Sequence, residues 1–239
     1  MSKPLRALLL AAGLGTRLRP FTLHTPKCLA PIGGKPLLAH WLSKLEDAGC
    51  EAMLINTHHL ADQVEQFVQN WPRTAMTIET VHEPELLGTA GTLMAHQAFF
   101  AGSTGLLIHA DNAMAADLTG LLLAHAQRPR PCLLTMLTFT TTTPSSCGIV
   151  ETDATGVVTA FHEKVAEPPG NKANGALYAF DTEFLEFAQQ MSSPPSDFST
   201  EVIPALRGKI YTWHTTEAYL DIGTTETLEL AQKLWEANA

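Results

Sequence analysis

The stretch that decides the fold is Leu5-Arg6-Ala7-Leu8-Leu9-Leu10-Ala11-Ala12-Gly13-Leu14-Gly15-Thr16-Arg17-Leu18-Arg19-Pro20. Residues 5–11 form a short run that is apolar but for Arg6, and the run stops at Gly13 and Gly15. A strand buried on both faces reads this way, because neither face has to meet water. Such a strand lies inside a sheet and stops at a tight loop.

Outward from it the pattern alternates. Pro36 suits a first helical position, apolar residues recur at helical spacing to Ala48, and Gly49 closes the segment. Strands are predicted at 51–57, 75–81 and 105–110, with helices at 60–70 and 89–100. Parallel strands need crossover connections, so the series predicts an α/β fold: a Rossmann-like, mostly parallel sheet with flanking helices. Ligands of such sheets bind beyond the carboxyl ends of the strands. The second half predicts strands at 132–139, 148–152, 157–162 and 175–180, several joined by short turns, and hence a small antiparallel part. Helices are predicted at 182–191 and 198–206, a short strand at 210–214, and a last helix after Gly223. The loop-like stretches 140–146 and 192–196 are too short to link domains, so one domain over 1–239 is expected.

Composition sets limits on function. With 45% hydrophobic and 16% charged residues over 239 positions, the chain has the material for a packed core. A net charge of -9 argues against nonspecific binding of nucleic acid or anionic membrane, which depends on clustered Lys and Arg. Any phosphate-bearing ligand must meet cations concentrated locally. Cys28, Cys50, Cys132 and Cys147 form no CxxC pair and no zinc spacing, and are read as reduced thiols of a cytoplasmic protein. Lys3 and Arg6 before an apolar run imitate a signal peptide, but Arg17 and Arg19 follow at once and no small-x-small cleavage site appears. No stretch approaches the roughly 20 apolar residues of a membrane span.

Three segments carry chemistry. The glycine loop lets backbone N–H groups approach an anion, and Arg17, Arg19 and Lys27 follow within a short span. It is neither a Walker loop nor a dinucleotide fingerprint, since Leu18 stands where the third glycine belongs. A bare glycine loop is equally a structural turn; the three cations point to a polyphosphate. The second segment, Glu83-Pro84-Glu85-Leu86-Leu87-Gly88-Thr89-Ala90-Gly91-Thr92, sets two glycines just before a helix, permitting close approach of a flat ligand and aiming a helix N-terminus at it. In the third, Asp111 ends an apolar strand, where carboxylates commonly hold Mg2+ against phosphates. Asp221, taken alone, reads as the N-terminal cap of the last helix. Ten histidines show no metal spacing, and no GxSxG elbow or Cys-His nucleophile occurs.

The run Gly13 to Pro20, then Thr25-Pro26-Lys27 and Ala30-Pro31-Ile32-Gly33-Gly34-Lys35-Pro36, closely resembles the signature of the sugar-1-phosphate nucleotidylyltransferases, or NDP-sugar pyrophosphorylases. The resemblance implies that a nucleoside triphosphate and a sugar 1-phosphate give NDP-sugar and pyrophosphate. It implies that Ala11, Gly13, Gly15 and Thr16 bind the nucleotide, that Gly13, Thr16 and Arg17 hold its triphosphate, and that Arg17 and Lys27 stabilise charge at the reacting phosphates. Glu83 and Gly88 would lie against the nucleobase, with Thr89 nearby. Tyr219-Leu220-Asp221-Ile222-Gly223-Thr224 resembles the late Asp-x-Gly motif, so Asp111 and Asp221 would share Mg2+. On the sugar side, Lys164 would take the phosphate, Glu163 and Asn174 the hydroxyls, and Gly148 would touch the sugar or end a turn. The chain departs from the pattern at Ala110, where the family often has Gly, and at Val165, where many relatives have Pro.

The nucleophile of that reaction is already anionic, which agrees with the lack of a convincing acid–base dyad and leaves catalysis to positioning and charge neutralisation. The length suggests a catalytic domain without the C-terminal β-helix of some relatives. Residues 197–204 resemble short members that activate mannose- or heptose-type phosphates with GTP, while uridylyl-transferring members are also short. A cytidylyltransferase for phosphocholine or another phosphorylated alcohol, a nucleotide-sugar sensor without turnover, and a Rossmann oxidoreductase are the competing readings. The expected partners are the two small substrates, not nucleic acid or membrane; oligomeric state is left open.

Overall fold

The computed structural model describes residues 3–72 and 74–236. In chain order its elements are β1 (Leu5–Leu10), β2 (Pro31–Ile32), β3 (Lys35–Pro36), α1 (Leu37–Asp47), β4 (Cys50–Thr57), α2 (Ala61–Gln69), β5 (Thr77–His82), α3 (Thr89–Ala95), β6 (Thr104–His109), β7 (Asn112–Met114), α4 (Thr119–Ala126), β8 (Leu134–Thr140), β9 (Gly148–Thr152), β10 (Val158–Glu163), β11 (Lys172–Phe180), α5 (Thr182–Gln189), α6 (Ile203–Ala205), β12 (Ile210–His214), β13 (Tyr219–Asp221) and α7 (Thr225–Glu236). The fold is the expected mixed α/β type, with a mostly parallel central sheet and flanking helices.

The chain divides into two compact units, and the division falls within β1 and β6. Unit one holds the residues up to Arg6, Leu87–Leu107 and Leu118–Thr216; unit two holds Ala7–Leu86, Ile108–Asp117 and the chain from Glu217 on.

In unit two, β1 neighbours β4, and β4 pairs in parallel with β5 from Ala52↔Thr77 to Thr57↔His82. Ala7, Leu8 and Leu9 are fully buried, as the continuous apolar run requires of an interior strand. Helix α1 buries Leu37, Leu38, Trp41, Leu42 and Leu45, an apolar stripe at helical spacing. Pro36 stands just before this helix as its N-cap rather than inside it. Two short pairs complete the unit: β2 with β3, and β7 with β13, antiparallel from Tyr219↔Met114 to Asp221↔Asn112.

In unit one, β8 pairs with β11, and β9 with β10 and β11, all antiparallel as expected. The last strand, β12, pairs with β8 in parallel. An aromatic chain fills the core: Phe100 to Phe180 at 5.0 Å, Phe180 to Phe184 at 5.3 Å, Phe184 to Phe198 at 5.9 Å and Phe198 to Tyr178 at 4.4 Å between ring centroids. Burying each such ring contributes roughly 1.5–3 kcal/mol.

Three predicted helices need correction. The one over 89–100 stops at Ala95, because His96 leaves helical geometry and turns its Nδ1 to within 2.9 Å of the Thr92 carbonyl; a 3-10 turn, Gln97–Phe100, follows. The one over 198–206 begins as a π-helix, Phe198–Val202, ahead of Pro204, which has no N–H to close an α-turn. Asp221 does not cap the last helix: Thr224 Oγ1 accepts from the Thr227 N–H at 3.3 Å instead. Among the described residues, no helix is long and apolar enough to cross a membrane.

Candidate active site

Unit two assembles the cations and carboxylates. After β1 the chain turns through Gly13, Gly15 and a 3-10 turn, Thr16–Leu18, whose Leu18 is buried while Gly13, Thr16, Arg17 and Arg19 are exposed. Gly15 adopts φ +59°, and an added Cβ would come within 2.7 Å of Thr22 Cγ2. The Thr22 hydroxyl donates to the Gly15 carbonyl at 2.8 Å, and the Thr22 carbonyl is 2.8 Å from His59 Nε2. The loop is thus tied down from within while its polar face stays open. Burying Leu18 anchors the turn that sends Arg17 outward.

Lys27 lies far from this loop's exposure. Its side chain is 10% exposed, and its Nζ sits 2.5 Å from Asp111 Oδ2 and 3.3 Å from Asp221 Oδ1. Arg17 Nη2 lies 3.7 Å from Asp221 Oδ2. The two carboxylates are brought together by the β7–β13 pair, beside which the Ile222 N–H donates to the Asp111 carbonyl at 3.0 Å. Trp41 Nε1 donates to the Asn112 carbonyl at 2.9 Å, and Lys44 Nζ to the Ala115 and Ala116 carbonyls at 2.9 and 2.8 Å, so α1 braces the loop after Asp111. Burial works against the Lys27 ammonium, but Asp111 and Asp221 outweigh it and raise its pKa above the ordinary lysine value. Burial likewise opposes the Asp111 charge, while Lys27 and then His109 hold its pKa below the usual carboxylate range. Lys27 and Asp111 therefore hold one another in the charged form.

Sequence reading passed over Asn56, at the end of β4. It is 4% exposed; its Oδ1 accepts from the Ala11 and Ala12 N–H groups at 2.7 and 3.3 Å, and its Nδ2 donates to Glu83 Oε1 at 3.0 Å. The Ala11 amide is thereby held by a side chain. A buried Asn at a strand's carboxyl end was the available signal.

In unit one, Gly88 has φ +80° and ψ 168°, a region essentially confined to glycine, and an added Cβ would strike the Ser196 carbonyl oxygen. The helix N-terminus expected to face a ligand gives its Ala90 and Gly91 N–H groups to that same oxygen, at 3.0 and 3.2 Å. Thr89 Oγ1 accepts from the Phe198 N–H at 2.8 Å. Gly88→Ala should therefore cost about 3 kcal/mol or more through strain and collision together, read as a lowered midpoint in denaturant unfolding.

The sugar-side residues gather on β9, β10 and β11 of the same unit. Glu163 is paired with Gly148, and a Cβ at Gly148 would fall 2.7 Å from Glu163 Oε2. Lys164 takes a left-handed φ of 49° with its N–H on the Cys147 carbonyl at 3.2 Å, and its Nζ is 3.2 Å from Glu163 Oε1. Asn174 closes a bulge in β11: Oδ1 accepts from the Ala176 N–H at 2.9 Å, and Nδ2 donates to the Tyr178 hydroxyl at 2.7 Å. A lysine held at positive φ stores strain of order 1–3 kcal/mol, a cost usually met where a side chain must be aimed.

The sequence profile of the Nucleotidyl transferase family matches residues 6–238. The chain belongs to the nucleotidyl transferase family. Among its relatives, mannose-1-phosphate guanylyltransferase catalytic subunit beta of Drosophila pseudoobscura pseudoobscura is 32% identical over 91% of this chain and 59% of that protein. Mannose-1-phosphate guanylyltransferase of Mycobacterium tuberculosis is 32% identical over 92% and 61%. UTP–glucose-1-phosphate uridylyltransferase of Synechocystis is 29% identical over 84% and 55%. The chain thus spans about six-tenths of the length of these guanylyltransferases. A solved structure of a candidate glucose-1-phosphate thymidylyltransferase from Bacillus anthracis superposes with a TM-score of 0.84, at 20% identity, over 97% of this chain and 95% of its own, and shows the shared fold.

Nucleotidyl transferases of this family generally use a divalent metal. The donor chemistry of unit two fits one. Asp111 and Asp221 converge on a single positive point, the Lys27 ammonium, and hard divalent cations are commonly bound by one or two carboxylates together with water and substrate phosphates. Among the described residues, no group of three or more His, Cys, Asp or Glu side chains that could hold a metal ion occurs.

Proposed function

We propose that this nucleotidyl transferase moves a nucleotidyl group from a nucleoside triphosphate to a sugar 1-phosphate, releasing pyrophosphate, with GTP and mannose 1-phosphate as the preferred pair. The observation that carries the reading is Lys27 Nζ held between Asp111 and Asp221, with Arg17 beside them. Three segments far apart in sequence meet there with both signs of charge, an arrangement suited to a polyphosphate and a divalent cation.

In the reaction, a phosphate oxygen of the sugar 1-phosphate forms a bond to the α-phosphorus, while the bond from that phosphorus to the bridging β-oxygen breaks. The electron pair leaves with pyrophosphate, and no proton has to move. Arg17 and Lys27 neutralise the charge on the transferring group and the departing pyrophosphate. Mg2+ held by Asp111 and Asp221 would supply further neutralisation of the phosphates. Gly13, Gly15 and Thr16 leave room at the loop for the triphosphate, Glu83 meets the base from unit two, and Gly88 and Thr89 shape the segment before α3 in unit one. Lys164 takes the sugar phosphate, and Gly148, Glu163 and Asn174 take the sugar.

GTP is preferred on two grounds. A carboxylate such as Glu83 only accepts hydrogen bonds, and guanine presents two adjacent N–H donors on its pairing edge. The two relatives named above at 32% identity are guanylyltransferases. The cytoplasm is the compartment this reading assigns, supported by four cysteines without disulfides, of which Cys28 and Cys50 have thiol pKa values pushed up by burial to about 12. The test is pyrophosphate release from each of the four nucleoside triphosphates against a panel of sugar 1-phosphates and phosphocholine, with Mg2+. GTP with mannose 1-phosphate should be fastest; a best rate with CTP and phosphocholine would replace this reading with the cytidylyltransferase one.

A further inference from the structure

We infer that Asn56 is a positioning residue for nucleobase selection, fixing the Glu83 carboxylate in one orientation and tying it to the start of the glycine loop. The inference rests on the reading that Glu83 meets the base.

Asn56 and Glu83 are each 4% exposed, so neither is oriented by bulk water. The Asn56 amide has only one satisfactory orientation. Its Oδ1 faces two N–H donors, Ala11 at 2.7 Å and Ala12 at 3.3 Å, and its Nδ2 faces an acceptor, Glu83 Oε1 at 3.0 Å. A flipped amide would set N–H against N–H and carbonyl against carboxylate. The Glu83 backbone is held as well: its N–H donates to the Thr57 carbonyl at 2.9 Å, and its carbonyl accepts from His58 Nδ1 at 2.7 Å. Among side chains of this length, only Asn accepts from two amides while donating to a carboxylate. Asp would set two carboxylates together, and Leu would take away both the acceptor of the two amides and the donor to Glu83 Oε1. Because Asn56 engages Glu83 Oε1, the direction in which the carboxylate accepts from a base is set by the same residue that sets the position of Ala11 and Ala12.

The experiment compares kcat/KM for GTP and for UTP in the wild-type chain and in Glu83→Gln, Asn56→Ala and Asn56→Asp, with Asp181→Asn, in unit one, as a variant that alters stability. Asn56→Ala should lower the GTP-to-UTP ratio by about 10-fold or more, mainly through KM for GTP, with kcat changed only a few-fold. Asp181→Asn should leave the ratio unchanged. Asn56→Asp keeps the acceptor for Ala11 and Ala12 and replaces the donation to Glu83 with a second carboxylate, so it covers the case in which the alanine variant fails to fold. Its GTP-to-UTP ratio should fall as well. If Glu83→Gln changes the ratio while both Asn56 variants keep it, or lower both nucleotides equally, the inference is overturned and the base reading stands. If Glu83→Gln itself leaves the ratio unchanged, the base reading fails and takes the inference with it.

Discussion

Lys27→Ala is expected to reduce kcat at saturating substrates by at least about 100-fold. The ammonium is the least exposed cation of the cluster and lies within 3.3 Å of both carboxylates. In such a partly dry position a fixed charge acts on developing phosphate charge far more strongly than it would in water, and it needs no reorganisation as the reaction proceeds. Its removal also leaves Asp111 and Asp221 facing one another, which repels the incoming triphosphate. Lys27→Arg should rescue little, because a planar guanidinium cannot fit the point between two carboxylates that a compact ammonium fills. Quenched-flow measurement of pyrophosphate release, alongside thermal unfolding, checks this: turnover should collapse while the variant stays folded. A variant turning over within a few-fold of the wild type would remove Lys27 from the chemistry.

Asp181→Asn should lower global stability by about 3–5 kcal/mol, the loss typical when one member of a buried ion cluster is removed. Asp181 is 9% exposed and meets Arg128 Nη2 at 2.8 Å, Thr104 Oγ1 at 2.9 Å, Lys3 Nζ at 3.2 Å and His125 Nε2 at 3.6 Å. Burial alone would raise its pKa, but the His125 ring facing it at 3.6 Å and hydrogen bonds from Arg128 and Thr104 outweigh that and hold it far below the ordinary carboxylate range. A carboxylate depressed on folding adds stability that is complete above its unfolded pKa of about 3.9 and is lost as pH falls below it. Wild type and variant should therefore differ most above about pH 5 and converge in acid. Burial also lowers the His125 pKa, and a base depressed on folding loses its contribution below about pH 6.5, so the wild type weakens towards acid in two stages. Urea titrations from neutral to acid pH test this; a constant gap between the two proteins would contradict it.

What could be read from sequence follows a physical division. Local patterns were legible: the run ending at Gly13 announced an interior strand and an open loop, and the alternation after it announced the crossovers. Pairings between distant residues were not. Nothing near Asp221 signals that 219–221 pairs with 112–114, yet that pairing sets the two carboxylates side by side. Asp181 stands where an ordinary helix cap would, but its side chain turns inward to Arg128. Helix α4 escaped prediction because its segment, Thr-Gly-Leu-Leu-Leu-Ala-His-Ala, has no polar face; Gly120 is there to let Trp213 pack against it. The glycines of 88–91 stand out in the sequence, while their partner, the Ser196 carbonyl, is beyond local reading.

The most direct test is the product balance of the purified full chain with GTP, mannose 1-phosphate and Mg2+. Pyrophosphate and GDP-mannose should appear in equal amounts, only when the sugar phosphate is present. Pyrophosphate formed without it, or no pyrophosphate with any nucleoside triphosphate and sugar 1-phosphate, would contradict nucleotidyl transfer to a sugar.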